Sequence, residues 1–344
     1  MGERVNCRLA PLLLVGLLLL GACTGGGSSS SSATGGRTSS QDTVPTSPTA
    51  AGEAAGSIDL SSLKGHIAFS GGPPHGEDVY IINADGTGLK RVTTDPAADF
   101  DPSWSPDRKR IVYRHQPGDV LSTDIYTIQS DGSDARNLTK SKGVPDWGPA
   151  SSPDGRQIAW NSDPDRRGVF RGYLMHPDGS GVRPLGADVW VEYPAWSPDG
   201  TRLAFMGQTP AGTENYEIYV VGADGTGLRR LTHSAGPDGW PAWSPDGERV
   251  LFASVRDDCA FSKAPDCKTT GDIGPYHTLY VMQADGSDQT RMSDVYGQIA
   301  DWSPDGRYIV LEGRTGLSVM RADGSGLTTL PTGVPSPYFP DWTI

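Results

Sequence analysis

An Asp-Gly turn recurs six times along this chain, at Asp85-Gly86, Asp131-Gly132, Asp178-Gly179, Asp224-Gly225, Asp285-Gly286 and Asp323-Gly324, each after a short apolar stretch. The spacing is about 46 residues, the length of one supersecondary unit copied through an array. A second marker keeps step with it. Trp104 to Asp107, Ser151 to Gly155, Trp196 to Gly200, Trp243 to Gly247 and Trp302 to Gly306 follow the pattern Trp-Ser-Pro-Asp-Gly, and Asp341-Trp342 begins a truncated sixth. Pro presets φ for the first corner of a turn, Asp bonds back to its own backbone, and Gly accepts the left-handed conformation. Each copy therefore reads as a tight hairpin. Arg108 replaces the turn glycine in one copy and Ser151 replaces the tryptophan in another, with Trp147 nearby to fill some of the lost volume. These two hairpins are expected to be the least regular.

Each unit offers four short strands. One leads into the Trp (Tyr193 to Trp196), one follows its turn (Arg202 to Met206), one precedes the Asp-Gly turn (Glu217 to Val221) and one follows it (Leu228 to Thr232). Four antiparallel strands per repeat with aromatic and Asp-Gly signatures predict an all-β, six-bladed β-propeller over residues 63–344. The first unit lacks its Trp strand and the last residues are an orphan Trp strand, so the C-terminal strand should pair with the N-terminal blade and close the ring. Closure removes the exposed sheet edges that a β-sandwich of this size would keep.

Residues 1–22 differ from the rest. Arg4 and Arg8 precede the apolar run Leu9 to Leu20, which is short for a membrane-spanning helix and reads as a signal peptide. Leu20-Gly21-Ala22-Cys23 resembles the bacterial lipoprotein box, which implies lipid on Cys23; the alternative is an ordinary secretory signal with an incidental cysteine. Residues 23–62 are rich in Ser, Gly, Thr and Pro and are expected to form a disordered tether. The resulting location is extracytoplasmic, anchored to a cell membrane by lipid. In an exported chain Cys259 and Cys267 read as one local disulfide, and two lone thiolates as metal ligands is the weaker reading.

The string Tyr193-Pro194-Ala195-Trp196-Ser197-Pro198-Asp199-Gly200, with Ile218 to Gly225 and Leu228 to Thr232 after it, closely resembles the WD-like repeat of TolB-type propellers. The resemblance spans about residues 65–344. It implies a six-bladed propeller outside the cytoplasm that works by binding an envelope component. The α/β domain that precedes the TolB propeller is expected to be replaced here by the tether and lipid.

With 29 Lys and Arg against 41 Asp and Glu, the formal charge is −12, and no basic stripe suits nucleic acid. Both hairpin types fall on one face of a propeller, so the opposite face carries the variable loops, where specificity usually lives. The entries to the inner strands there combine rings with acids: Phe100 and Asp101, Asp146 and Trp147, Glu192 and Tyr193, Trp240, Tyr296 and Asp301, Phe339 and Asp341. As a rim they would grip a protein, peptide or cell-wall glycan, with aromatic area for affinity and carboxylates for polar or cationic groups. For any single ring the alternative is packing between blades. No nucleophile elbow, His-Glu-x-x-His or P-loop is present. The six histidines lack close ligand spacing, so no catalytic residue, metal or cofactor is predicted. The alternative to a binding protein is a polymer lyase or hydrolase working at the channel.

Overall fold

The computed structural model describes residues 56–118, 122–209, 215–257, 278–313 and 315–343, apart from the side chains of 293–295. The predicted signal peptide, Cys23, most of the tether, and the Cys259 and Cys267 pair lie outside these residues.

Among the described residues, twenty-four strands form six four-stranded antiparallel sheets. Blade 1 contains β1 (His66–Gly71), β2 (Asp78–Asn83) and β3 (Lys90–Arg91). Blade 2 is β4 (Ala98–Trp104), β5 (Arg110–Gln116), β6 (Asp124–Gln129) and β7 (Arg136–Asn137). Blade 3 is β8 (Asp146–Ser151), β9 (Ile158–Ser162), β10 (Arg171–Met175) and β11 (Arg183–Pro184). Blade 4 is β12 (Glu192–Trp196), β13 (Arg202–Gly207), β14 (Glu217–Gly222) and β15 (Arg229–Arg230). Blade 5 is β16 (Asp238–Trp243), β17 (Arg249–Ser254), β18 (Thr278–Gln283) and β19 (Thr290–Tyr296). Blade 6 is β20 (Ala300–Trp302), β21 (Tyr308–Gly313), β22 (Gly316–Arg321) and β23 (Thr328–Thr329). The last strand, β24 (Tyr338–Thr343), is the inner strand of blade 1, with Ile67 opposite Trp342 and His66 opposite Thr343. Gly65 makes this join possible: a Cβ there would lie 2.1 Å from the Thr343 carbonyl oxygen.

The hairpins follow the local chemistry read from the sequence. In all six Asp-Gly turns the Asp Oδ1 accepts a backbone N–H two residues on, from Thr87, Ser133, Ser180, Thr226, Ser287 and Ser325. In the Ser-Pro-Asp turns the Ser hydroxyl donates to the Asp and accepts the N–H that starts the next strand, as Ser197 does from Arg202 at 3.0 Å. The two copies expected to be irregular make the same bonds, through Ser105 with Arg110 N and Ser152 with Gln157 N, each at 2.9 Å. Arg108 simply adopts the left-handed φ of 61° that glycine takes elsewhere. Turn geometry is set by Ser and Asp, so neither the glycine nor the tryptophan is needed to form it. Trp147 does not fill the place left by Ser151; it stacks on Phe170 instead.

The core lies between and within blades. Directly opposed aromatic pairs on the second and third strands repeat through five blades: Phe69 and Tyr80, Tyr113 and Tyr126, Trp160 and Tyr173, Phe205 and Tyr219, Phe252 and Tyr280. Their centroids lie 5.5 to 5.9 Å apart. Such pairs each add about 0.5 to 1.5 kcal/mol beyond burial. The tether boundary needs correction. Residues 56–62, assigned to the tether, dock on the ring: Ile58 is 6% exposed, packs with Leu63 among Val319 and Leu330, and donates its backbone N–H to Thr328 Oγ1. Two apolar residues in an otherwise polar stretch suffice to order it.

Candidate functional site

The inner strands share one device. A residue with positive φ precedes a proline in five of them: Asp101 (52°), Gly148 (56°), Tyr193 (49°), Trp240 (49°) and Phe339 (51°), before Pro102, Pro149, Pro194, Pro241 and Pro340. Residues before proline favour extended backbone, and a left-handed non-glycine costs about 1 to 3 kcal/mol. The strain sits at a register shift in each strand, a bulge that re-aims a side chain. Here it turns Asp101, Tyr193, Trp240 and Phe339 into a central cavity of about 280 Å³. At the glycine, a Cβ would sit 3.1 Å from the Tyr193 ring, so Gly148 leaves room for that ring. Blade 6 has Ile299 and Ala300 at the corresponding positions, and its inner strand is only three residues long.

The predicted rim is only partly an open ring. Tyr193 stacks on Phe339 at 5.7 Å and lies 6.1 Å from Trp240, while Tyr338 links Phe339 (5.2 Å) to Phe100 (6.2 Å). Rings from four blades thus meet across the mouth. Two predicted members stand elsewhere. Trp147 is 5% exposed and packs face to face with Phe170 at 4.3 Å. Tyr296 ends β19, the outermost strand of blade 5, and its hydroxyl donates to Gln298 Oε1 at 3.4 Å.

The predicted acids also divide. Asp146 is buried in blade 3, accepting the Ser141 hydroxyl. Asp101 is buried and paired with Arg114 at 3.1 Å, whose guanidinium lies 4.4 Å from the Phe100 ring and 5.5 Å from Trp147. Burial pushes the Asp101 carboxyl up against the pull of Arg114. Its Oδ1, the Tyr193 hydroxyl and Asn161 Nδ2 are buried with no hydrogen-bond partner. Glu192 accepts the Tyr216 hydroxyl at 3.0 Å, and burial pushes its carboxyl up to about 7.

Asp301 and Asp341 lie deeper, on the residue just before each Trp. Asp301 accepts the N–H groups of Trp302 and Trp342, both at 2.8 Å, and Asp341 accepts that of Trp104 at 2.6 Å. The two carboxyls also face each other, so a charge on one disfavours a charge on the other. Burial, with the neighbouring charge, raises Asp301 well above the carboxylate range, and burial raises Asp341 to about 6. Ser103 continues the pattern by accepting Ser151 N at 3.3 Å. These side chains clamp blade 6 to blade 1, blade 1 to blade 2 and blade 2 to blade 3. Sequence reading missed Arg114 and Asn161. Arg114 was detectable as a cation beside the apolar run Ile111 to Tyr113, whereas Asn161 carries no such signal.

Geometrically, the molecule belongs to the six-bladed β-propellers closed by their last strand, with a central cavity capped by rings. Residues 186–261 match the family model of the TolB beta propeller domain. The chain is similar to an uncharacterized protein of Agrobacterium fabrum, 32% identical over 129 residues, covering 37% of this chain and 42% of that protein. It therefore spans less than half the length of that relative. Among solved structures it resembles TolB from Acinetobacter baumannii, with a TM-score of 0.63 and 21% identity, over 83% of this chain and 67% of the other. It also shares its fold with an oligogalacturonate lyase in complex with manganese, at a TM-score of 0.52 and 13% identity over 79% of this chain and 77% of the other.

Proposed function

We propose that this chain is an exported binding propeller, held to a membrane by lipid at Cys23, that takes a segment of an envelope protein or peptide at the ring-capped mouth of its channel. The supporting observation is the set of unmet polar atoms at that mouth. Asp101 Oδ1 and the Tyr193 hydroxyl are buried beside Phe100, Phe339 and Trp240, an arrangement that a bound amide or cationic side chain would complete. The fold likeness to TolB is consistent with a protein partner, and a cell-wall glycan is the other ligand class the rings would accept.

A lyase or hydrolase reading draws on the three carboxyls lining the channel. Their commitments weigh against it: Asp101 is tied to Arg114, and Asp301 and Asp341 to backbone N–H groups of neighbouring blades.

A photo-crosslinking residue at Trp240 or at Leu228, on the hairpin face, tests the binding site in intact cells. A discrete adduct from position 240 and none from 228 is expected. Equal labelling from both, or from 228 alone, would place the interaction elsewhere, and turnover of a polymer by pure protein would favour the enzyme.

A further inference from the structure

On the variable face of blade 2, away from the channel, β4 and β5 bring Asp99 directly opposite His115. Asp99 is fully buried, and its Oδ1 lies 2.8 Å from His115 Nδ1. Its second oxygen is buried with no hydrogen-bond partner. Asp95, on the exposed turn before β4, adds a second carboxylate: one ligand atom from each of Asp95, Asp99 and His115 lies within 4.8 Å of the others. The imidazole is held in place by the Tyr126 ring at 4.3 Å and the edge of Tyr113 at 6.5 Å.

The same register position in other blades shows what a buried carboxylate here ordinarily does. Asp146 faces Ser162 and takes the Ser141 hydroxyl, while Asp238 faces Ser254 and takes the Arg256 guanidinium at 2.7 Å. Blade 2 has neither that arginine nor a serine in register, and the one hydroxyl that acts on Asp99, from Thr93, leaves the second oxygen without a hydrogen bond. In their place is an imidazole between two carboxylates, with Asp124 adding further negative charge near it. His115 meets one oxygen of Asp99 and leaves the other buried and unmet, a cost that a coordinated cation would remove.

We infer that Asp95, Asp99 and His115 form a binding site for a divalent transition cation, Zn²⁺ or Mn²⁺. One imidazole nitrogen with two carboxylate oxygens suits these ions, whereas Ca²⁺ takes six to eight oxygens. On entry the cation displaces the proton now shared by Asp99 Oδ1 and His115 Nδ1, and that proton leaves to solvent. Three protein ligands leave a coordination position for water or for a donor from a partner docked on this face.

The test is calorimetric titration of the chelator-treated full chain with ZnCl₂ and with MnCl₂, in two buffers of different ionisation enthalpy. One ion per chain, with proton release, is expected for at least one metal. Affinity should fall at least tenfold in His115→Gln and in Asp99→Asn, and several-fold in Asp95→Asn, whose exposed position spares the fold. His233→Ala, at an exposed position in blade 4, should bind as the parent does. Co²⁺ loaded into the parent should show an N/O spectrum without a thiolate charge-transfer band, which separates this site from Cys259 and Cys267. Undiminished binding by both Asp95→Asn and His115→Gln, a thiolate band, or no binding of either metal would overturn the assignment.

Discussion

Asp341 accepts the backbone N–H of Trp104 at 2.6 Å, so the strand that closes the ring is fastened to blade 2 by a carboxyl that also faces Asp301. This couples ring stability to pH. A carboxyl whose pKa is higher folded than unfolded holds more protons when folded, so its contribution is complete below about pH 4 and is lost as pH rises through the folded value. Asp341 moves to about 6, and Glu192 and Glu312 to about 7, all by burial, and Asp301 moves the same way. Thermal melting should therefore fall between pH 5 and pH 8. Asp341→Asn should flatten that fall and recover about 1 to 3 kcal/mol at pH 8. An unchanged slope in the variant would separate the pair from the pH response.

At the mouth, Tyr193→Ala and Phe339→Ala each remove a ring from the cluster that spans the channel. Each should weaken partner capture by about 2 kcal/mol, the scale of a central aromatic anchor. Leu228→Ala on the hairpin face should leave capture unchanged. Affinity of folded variants for the partner recovered by crosslinking measures this, and equal losses on both faces would reject the mouth.

Trp147 belongs to a different experiment. Because it is buried against Phe170, Trp147→Ala should cost about 3 to 5 kcal/mol of stability, the range for truncating a large buried aromatic. Denaturant unfolding reads the cost directly. Full stability in this variant would mean that the stack carries little energy.

Arg108 has φ of 61° where Gly155, Gly200, Gly247 and Gly306 have 68° to 72°. Arg108→Gly should relieve the left-handed strain and raise stability by about 0.5 to 1 kcal/mol, net of the added freedom of the unfolded chain. A lower unfolding midpoint would show that the arginine side chain contributes more than its backbone costs.

Repetition made the architecture legible. The Trp-Ser-Pro-Asp and Asp-Gly turns fix where strands reverse, and the unmatched first and last strands fix the closure of β24 on β1. The site was read less well, because the same marker does not place a ring at the same depth. Phe100 and Trp147 occupy equivalent positions before the bulge, yet Phe100 turns to Tyr338 and Trp147 to Phe170. Position along a strand says which blade a residue serves; the bulge before each proline decides which way its side chain goes. The Asp301 and Asp341 pair depends on the distance between blades, which no single repeat contains.

The pairing of β1 with β24 joins residues some 275 positions apart in the chain. A newly made chain therefore carries His66 to Gly71 as an open edge until Trp342 has emerged, and such edges recruit other strands. Completion of the fold is postponed to the last few residues, so without the final strand blade 1 would lack its inner strand and the first blade would be held beside the last only by the packing of Ile58 and its neighbours on blade 6.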